Sequence, residues 1–213
     1  VHDEHTGLDV ARLLLERGAN VNARLRHQPP LRNEPGDRGF TDGTPDALVV
    51  NTGATALHVA AKASDDEAVK LLLAHGAAVN PANVFGITPA MAAAGVGHWY
   101  GLFREYPTIG RHKTGADAVE TLKLLLAAGA DVDGRTTELT LGFQRPRIAG
   151  LTAAHGAAFQ GWNEVIEFLY ERGSPIDAKQ TSPDGATPRD VAIAEEHPET
   201  AELIDRLLAK GAL

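Results

Sequence analysis

The chain has 213 residues and a formal net charge of −8, a balance that disfavours non-specific nucleic-acid binding. It contains no cysteine, which excludes a disulfide framework and a thiolate metal site and says nothing about compartment. Hydrophobic residues make up 43% of the chain but aromatics only 5%, so Ala, Leu and Val carry the apolar character; that suits thin layers of small helices better than one large globular core.

No apolar run approaches the length of a membrane span, and no signal peptide opens the chain. Direct membrane insertion is therefore not expected. The first residue is Val1 and the only methionine is Met91, so an intact primary translation product is not expected either.

In chain order, residues 8–22 (LDVARLLLERGANVN) predict a helix and its exit, with Val10, Leu13 and Leu14 on one apolar face. They read as the second half of a helix pair. Nothing within residues 1–7 covers that face, so upstream repeats of the same chain are expected to meet it. Residues 24–52 form a first insertion, in which Pro29, Pro30, Pro35, Gly36, Gly39, Gly43 and Pro45 exclude regular helix.

Residues 53–89 hold one complete unit: Gly53-x-Thr55, a helix over 56–62, a polar turn, and a helix over 67–74 stopped by Gly76. From Thr55 to the next such threonine, Thr88, is 33 residues. The third unit opens at 86–95 and resumes with a helix over 117–127. Between its helices lies a second insertion, 98–114 (HWYGLFREYPTIGRHKT). A third insertion, 135–149, precedes the fourth unit at 150–173. The fifth opens at 185–192 and closes with a helix over 198–210, Pro198 suiting its first turn. The end at 211–213 reads as a genuine terminus.

The segments TALHVAA and LLLAHGAAVN, within a unit whose threonines Thr55 and Thr88 stand 33 residues apart, resemble the ankyrin-repeat family. The resemblance covers nearly all of the chain outside the insertions. It implies an all-α ankyrin-repeat solenoid of about four complete helix pairs plus an N-terminal half repeat, one array over 1–213. The order of units and insertions further resembles the C-terminal part of long bacterial ankyrin-repeat proteins. Many of those look exported, which implies a periplasmic or secreted location, with a cytoplasmic one as the alternative.

Thr55, His58, Thr88, Thr152, His155 and Thr187 fall on the family's T-x-x-H motif positions. The resemblance gives the histidines a structural role, bonding the threonine and nearby backbone. Met91 and Asp190 stand at the same position in other units, so no row of histidines exists to bind metal. His2 and His5 with Asp3 and Glu4 have zinc-ligand character but sit at an uncapped end and read as incidental. Gly95-Val96-Gly97 ends a helix rather than following a strand, which argues against a phosphate loop. Ser64, Ser174 and Ser182 fall at turns, where serine serves as a cap. No catalytic residue, cofactor site or metal site is expected.

Binding features carry more. Trp99, Tyr100, Phe103 and Tyr106 place four of the chain's 11 aromatics within eight residues, with Arg104 and Arg111 alongside. Such residues dominate interface hot spots, the alternative being a small private core of the insertion. Trp99 and Trp162 each follow the inter-helix glycine of neighbouring units, so both indoles are expected on one edge, with Phe159 extending the patch. The insertions carry a net charge of +4 and leave −12 on the scaffold, which favours a partner with an acidic patch over nucleic acid. The expected function is a non-catalytic protein–protein interaction module or scaffold. The alternatives are an accessory subunit of a larger, membrane-associated enzyme complex, and a targeting or inhibitory domain of a longer protein.

Overall fold

The computed structural model describes residues 6–26, 52–97, 113–137, 148–181 and 184–211. Nine helices lie within them: α1 Gly7–Glu16, α2 Ala56–Ala63, α3 Asp66–Ala74, α4 Pro89–Ala93, α5 Gly115–Ala127, α6 Ala153–Gln160, α7 Asn163–Glu171, α8 Pro188–Ala194 and α9 Pro198–Gly211. No extended strand occurs among the described residues.

Helices α1, α3, α4, α5 and α8 start where a short polar side chain accepts from a free amide. Thr6 with Asp9, Thr114 with Asp117 and Thr187 with Asp190 form capping boxes in which threonine hydroxyl and carboxylate satisfy each other's backbone N–H. Thr88 Oγ1 accepts from Met91 N at 3.3 Å, and Pro89 follows at the first helical position, where its missing N–H costs nothing. Helix α5 begins at Gly115, directly after the expected second insertion, with Thr114 as its cap.

Helices pair as α2 with α3, α4 with α5, α6 with α7 and α8 with α9. The inner members α2, α4, α6 and α8 then pack on one another in series, and the outer members α1, α3, α5, α7 and α9 do the same. The result is a two-layer, all-α solenoid of four helix pairs and a half repeat, the architecture expected above.

Alanine sets the spacing of the inner layer. Ala60, Ala61, Ala93, Ala94, Ala157 and Ala158 are all buried, facing Leu72, Leu122, Leu125, Ile166 and Leu169 from the outer layer. Between α4 and α6 even alanine is too large. A Cβ on Gly156 would meet Val96 N at 2.5 Å, and one on Gly95 would meet Gly156 O at 2.8 Å. Consequently α4 is buried along its whole length, and α6 nearly so. A second apolar cluster of Ile87, Met91, Ala92, Val96 and Leu151 lies there, with Phe85, Ile148 and Phe159 packed against it.

The segments between units pair at their bases. Leu25 N donates to Ala54 O and Gly53 N to Leu25 O, both at 2.8 Å; Thr136 N donates to Leu151 O and Gly150 N to Thr136 O, both at 2.9 Å. The stems of the first and third insertions are therefore part of the array, because their backbone groups have partners there. Adjacent stems are joined by Val84 N to Thr52 O, Thr137 N to Phe85 O and Thr181 N to Ala149 O.

Candidate functional site

Two histidines fix the joints between units. His58 Nδ1 lies 3.0 Å from both Thr55 N and Thr55 Oγ1, and its Nε2 lies 3.0 Å from Ile87 O in the next unit. His155 repeats the arrangement with Thr152 at 3.1 and 2.9 Å and Ala186 O at 3.1 Å. Because a carbonyl only accepts, Nε2 carries the proton and Nδ1 accepts from the threonine amide. Both ring nitrogens are thus committed to the scaffold. Burial lowers the pKa of both rings, that of His155 to about 4, since a charged ring would lack solvent.

Met91 takes the same position in α4 and sits fully buried in the second cluster, where an imidazole would find apolar neighbours. At Asp190 the carboxylate closes a capping box, and backbone and side-chain bonds from Thr187 hold its pKa below the usual range.

Arginine and asparagine staple the stems. Arg24 Nη1 donates to Gly53 O at 3.0 Å and Ala82 O at 2.6 Å, and Arg135 Nη1 to Gly150 O at 3.2 Å and Lys179 O at 2.9 Å. Both arginines stand six residues beyond the glycine that closes an outer helix. Asn22 and Asn80, four beyond it, each bridge to the next unit: Asn22 to Gly76 O and Ala78 N, Asn80 to Gly129 O and Asp131 N. In the outer layer Thr121 donates to Asp66 and Thr200 to Asn163, both at 2.7 Å.

The edge opposite the stems holds two lysines that sequence reasoning missed. Lys113 Nζ donates to Ala93 O at 2.8 Å, Lys62 O at 3.1 Å and Ala61 O at 3.4 Å, so one ammonium caps the ends of α2 and α4 together. It also lies 5.1 Å from the centre of the Trp162 ring. Lys62 Nζ donates to Gly97 O at 2.9 Å. Burial, then the neighbouring Lys62, pushes Lys113 down to about 7, against the pull of Asp117 and Asp66. The only sequence signal was a lysine directly before a T-x-x-D box.

Of the residues singled out for partner contact, Trp162 is described. It is half-buried at the start of α7, packs against the main core, and has Lys113 over its ring. Phe159, grouped with it above, packs instead on the second cluster with Ile87 and Met91. The two aromatics therefore serve different cores. Trp99, Tyr100, Phe103, Arg104, Tyr106 and Arg111 lie outside the described residues, as do His2 and His5.

Among the described residues, the large apolar side chains left exposed are Val10, Leu13 and Leu14 on α1, Val59 on α2, Val84 between units and Ile193 on α8. Among the described residues, no group of three or more His, Asp or Glu stands close enough to hold a metal ion, and no helix is long and apolar enough to cross a membrane.

A solenoid whose polar side chains are spent on joining units belongs with the helical-repeat proteins, whose output is a surface. A sequence model of the family described as ankyrin repeats (3 copies) matches residues 34–100. Over that segment the chain is similar to ankyrin repeats, and its all-α solenoid of helix pairs is consistent with them. It is also similar to a transient receptor potential cation channel subfamily A member 1 homolog from Caenorhabditis elegans, 26% identical over 149 residues. That match covers 70% of this chain, and the chain spans about a tenth of the length of the curated relative it matches (10%).

Proposed function

We propose that the chain is a non-catalytic protein-binding module whose partner is another protein. The observation that carries this reading is the division of labour on the scaffold. His58, His155, Arg24, Arg135, Asn22 and Asn80 hold units together, while Val59 and Val84 face solvent at 52% and 56% exposure. Ankyrin repeats in general are protein–protein interaction modules, and an extended stacked surface suits that task. Trp162, with Trp99, Tyr100, Phe103, Arg104, Tyr106 and Arg111 of the second insertion, is proposed as a contact edge additional to the inner helices. The burial of α4 and α6 supports this, since it removes the middle of the inner-helix face from use.

The test is affinity purification from the native source, followed by calorimetry with the purified partner. Replacing Trp99 and Tyr100 with Ala should abolish binding at unchanged melting temperature. A large fall in melting temperature with affinity retained would mean that these rings form only a local core.

A second reading, a targeting or inhibitory domain of a longer protein, is favoured by the match to a tenth of a much longer relative.

A further inference from the structure

We propose that Lys113 is an acid-released latch: its amine, docked on the ends of α2 and α4 beside Trp162, takes up a proton and swings out to water as pH falls, loosening that edge. The docked position joins three successive helix pairs. Nζ stands 2.8 Å from Ala93 O on α4 and 3.1 Å from Lys62 O on α2, with Ala61 O further out at 3.4 Å. The Trp162 ring, 5.1 Å away, belongs to the next pair. Either protonation state serves the two short contacts, since a neutral amine still has two N–H groups. Charge adds only the long third contact and the attraction of the ring.

Against that small gain stands the loss of water from a charged group. The neighbouring charges do not make it good. Lys62 of α2 brings a second amine, bonded to Gly97 O at 2.9 Å, and α4 carries no charged residue. The two carboxylates that favour a charged Lys113 are Asp66 on α3 and Asp117 on α5. Both accept from other donors: Asp66 from Thr121 Oγ1 at 2.7 Å, Asp117 from Thr114 N at 2.9 Å and Thr114 Oγ1 at 2.8 Å. Glu164 of α7 lies against Gly115. Leaving needs no unfolding. Lys113 directly precedes the capping box of Thr114, so its backbone stays fixed while a four-carbon stem swings outward.

The direction of the response follows from linkage. Burial, then Lys62, holds the docked amine at about 7, whereas the released one has the ordinary 10.5. Between those limits the released amine keeps a proton that the docked one has given up. Release is therefore favoured about tenfold more per pH unit as pH falls from 10.5 to 7, and it levels off below. The buried histidines lie outside this window, because burial lowers both His58 and His155 from 6.5.

The test uses the whole chain. Lysine Cε signals followed by NMR should include one that titrates well below 10.5 and is missing from Lys113→Met. The gap in melting temperature between wild type and Lys113→Met should widen from pH 7 to pH 10 and stay level below pH 6. Lys113→Arg, which keeps its charge, should differ from Lys113→Met by an amount that does not change with pH. Release itself is read from Trp162. In Trp99→Phe it is the only tryptophan, and its quenching by acrylamide should rise as pH falls from 9 to 6. Adding Lys113→Met should abolish that rise. A Lys113 signal titrating near 10.5, or a melting gap flat with pH, would overturn the latch. Quenching that stays constant while Lys113 titrates would mean that the amine charges in place, which overturns release.

Discussion

Single side chains decide how the joints respond to their surroundings. His155 is buried and neutral, with a pKa near 4 against an ordinary 6.5. A depressed folded-state value means the unfolded chain binds more protons between those limits. The contribution is therefore fully present above pH 6.5 and is lost as pH falls through 4, reaching roughly 3 kcal/mol. Denaturation followed from pH 7 to pH 4 should show this loss, and His155→Gln should be less stable at pH 7 but flatter with pH. Ser64 offers the opposite case. It adopts φ +51°, a left-handed conformation costly for a side chain, and its Oγ is buried without a hydrogen-bond partner. In the two units that follow, this inter-helix turn has Gly97 at φ +83° and Gly161 at φ +69°. Ser64→Gly should raise stability by about 1 kcal/mol, read as a higher urea midpoint at unchanged m-value.

At the scale of elements, the spacing of inner helices is the sensitive quantity. Gly156 and Gly95 meet where α4 passes α6, and the added Cβ of Gly156→Ala would press on the backbone of Val96. Backbone cannot move aside as a flexible side chain can, so this substitution should cost about 3 kcal/mol. A Cβ at Gly76 has nothing within 4 Å, but φ is +82° there, so Gly76→Ala should cost only the smaller conformational penalty of about 1 kcal/mol. Paired thermal melts of the two variants would test that ranking. Lys113 acts across elements as well, since its ammonium ends α2 and α4 at once. Lys113→Met should leave those carbonyls unpaired and lower stability by about 1–3 kcal/mol, with faster amide exchange near both helix ends.

At the scale of the whole array, the main helix contacts among the described residues run within a unit or to the neighbouring one, so stability accumulates along the array rather than in one centre. The last pair, α8 and α9, is held through His155 to Ala186 O, Arg135 to Lys179 O and Thr200 to Asn163. His155→Ala should therefore release α8 and α9 ahead of the other pairs. Hydrogen exchange should show their amides losing protection while those of α2 and α3 keep it. Uniform loss along the chain would mean that the array unfolds as a single unit.

Much of this organisation was legible in the residues. The 33-residue interval from Thr55 to Thr88, the glycines that close the outer helices and the apolar positions before them determine helix pairs, their order and their stacking. They do so because a helix four residues into its apolar pattern has only one face to bury. The T-x-x-H spacing determines the cap for a similar local reason, since residues three apart meet on the first turn. What only the tertiary structure decided lies between residues far apart in the chain. Lys113 reaches Ala61 and Ala93, Thr121 reaches Asp66, and Phe159 and Trp162 part to different cores though three residues apart. No local spacing encodes these contacts. They exist because stacking brings the ends of successive helices to one edge, where burial forces each orphaned carbonyl and hydroxyl to find whatever donor the next unit supplies.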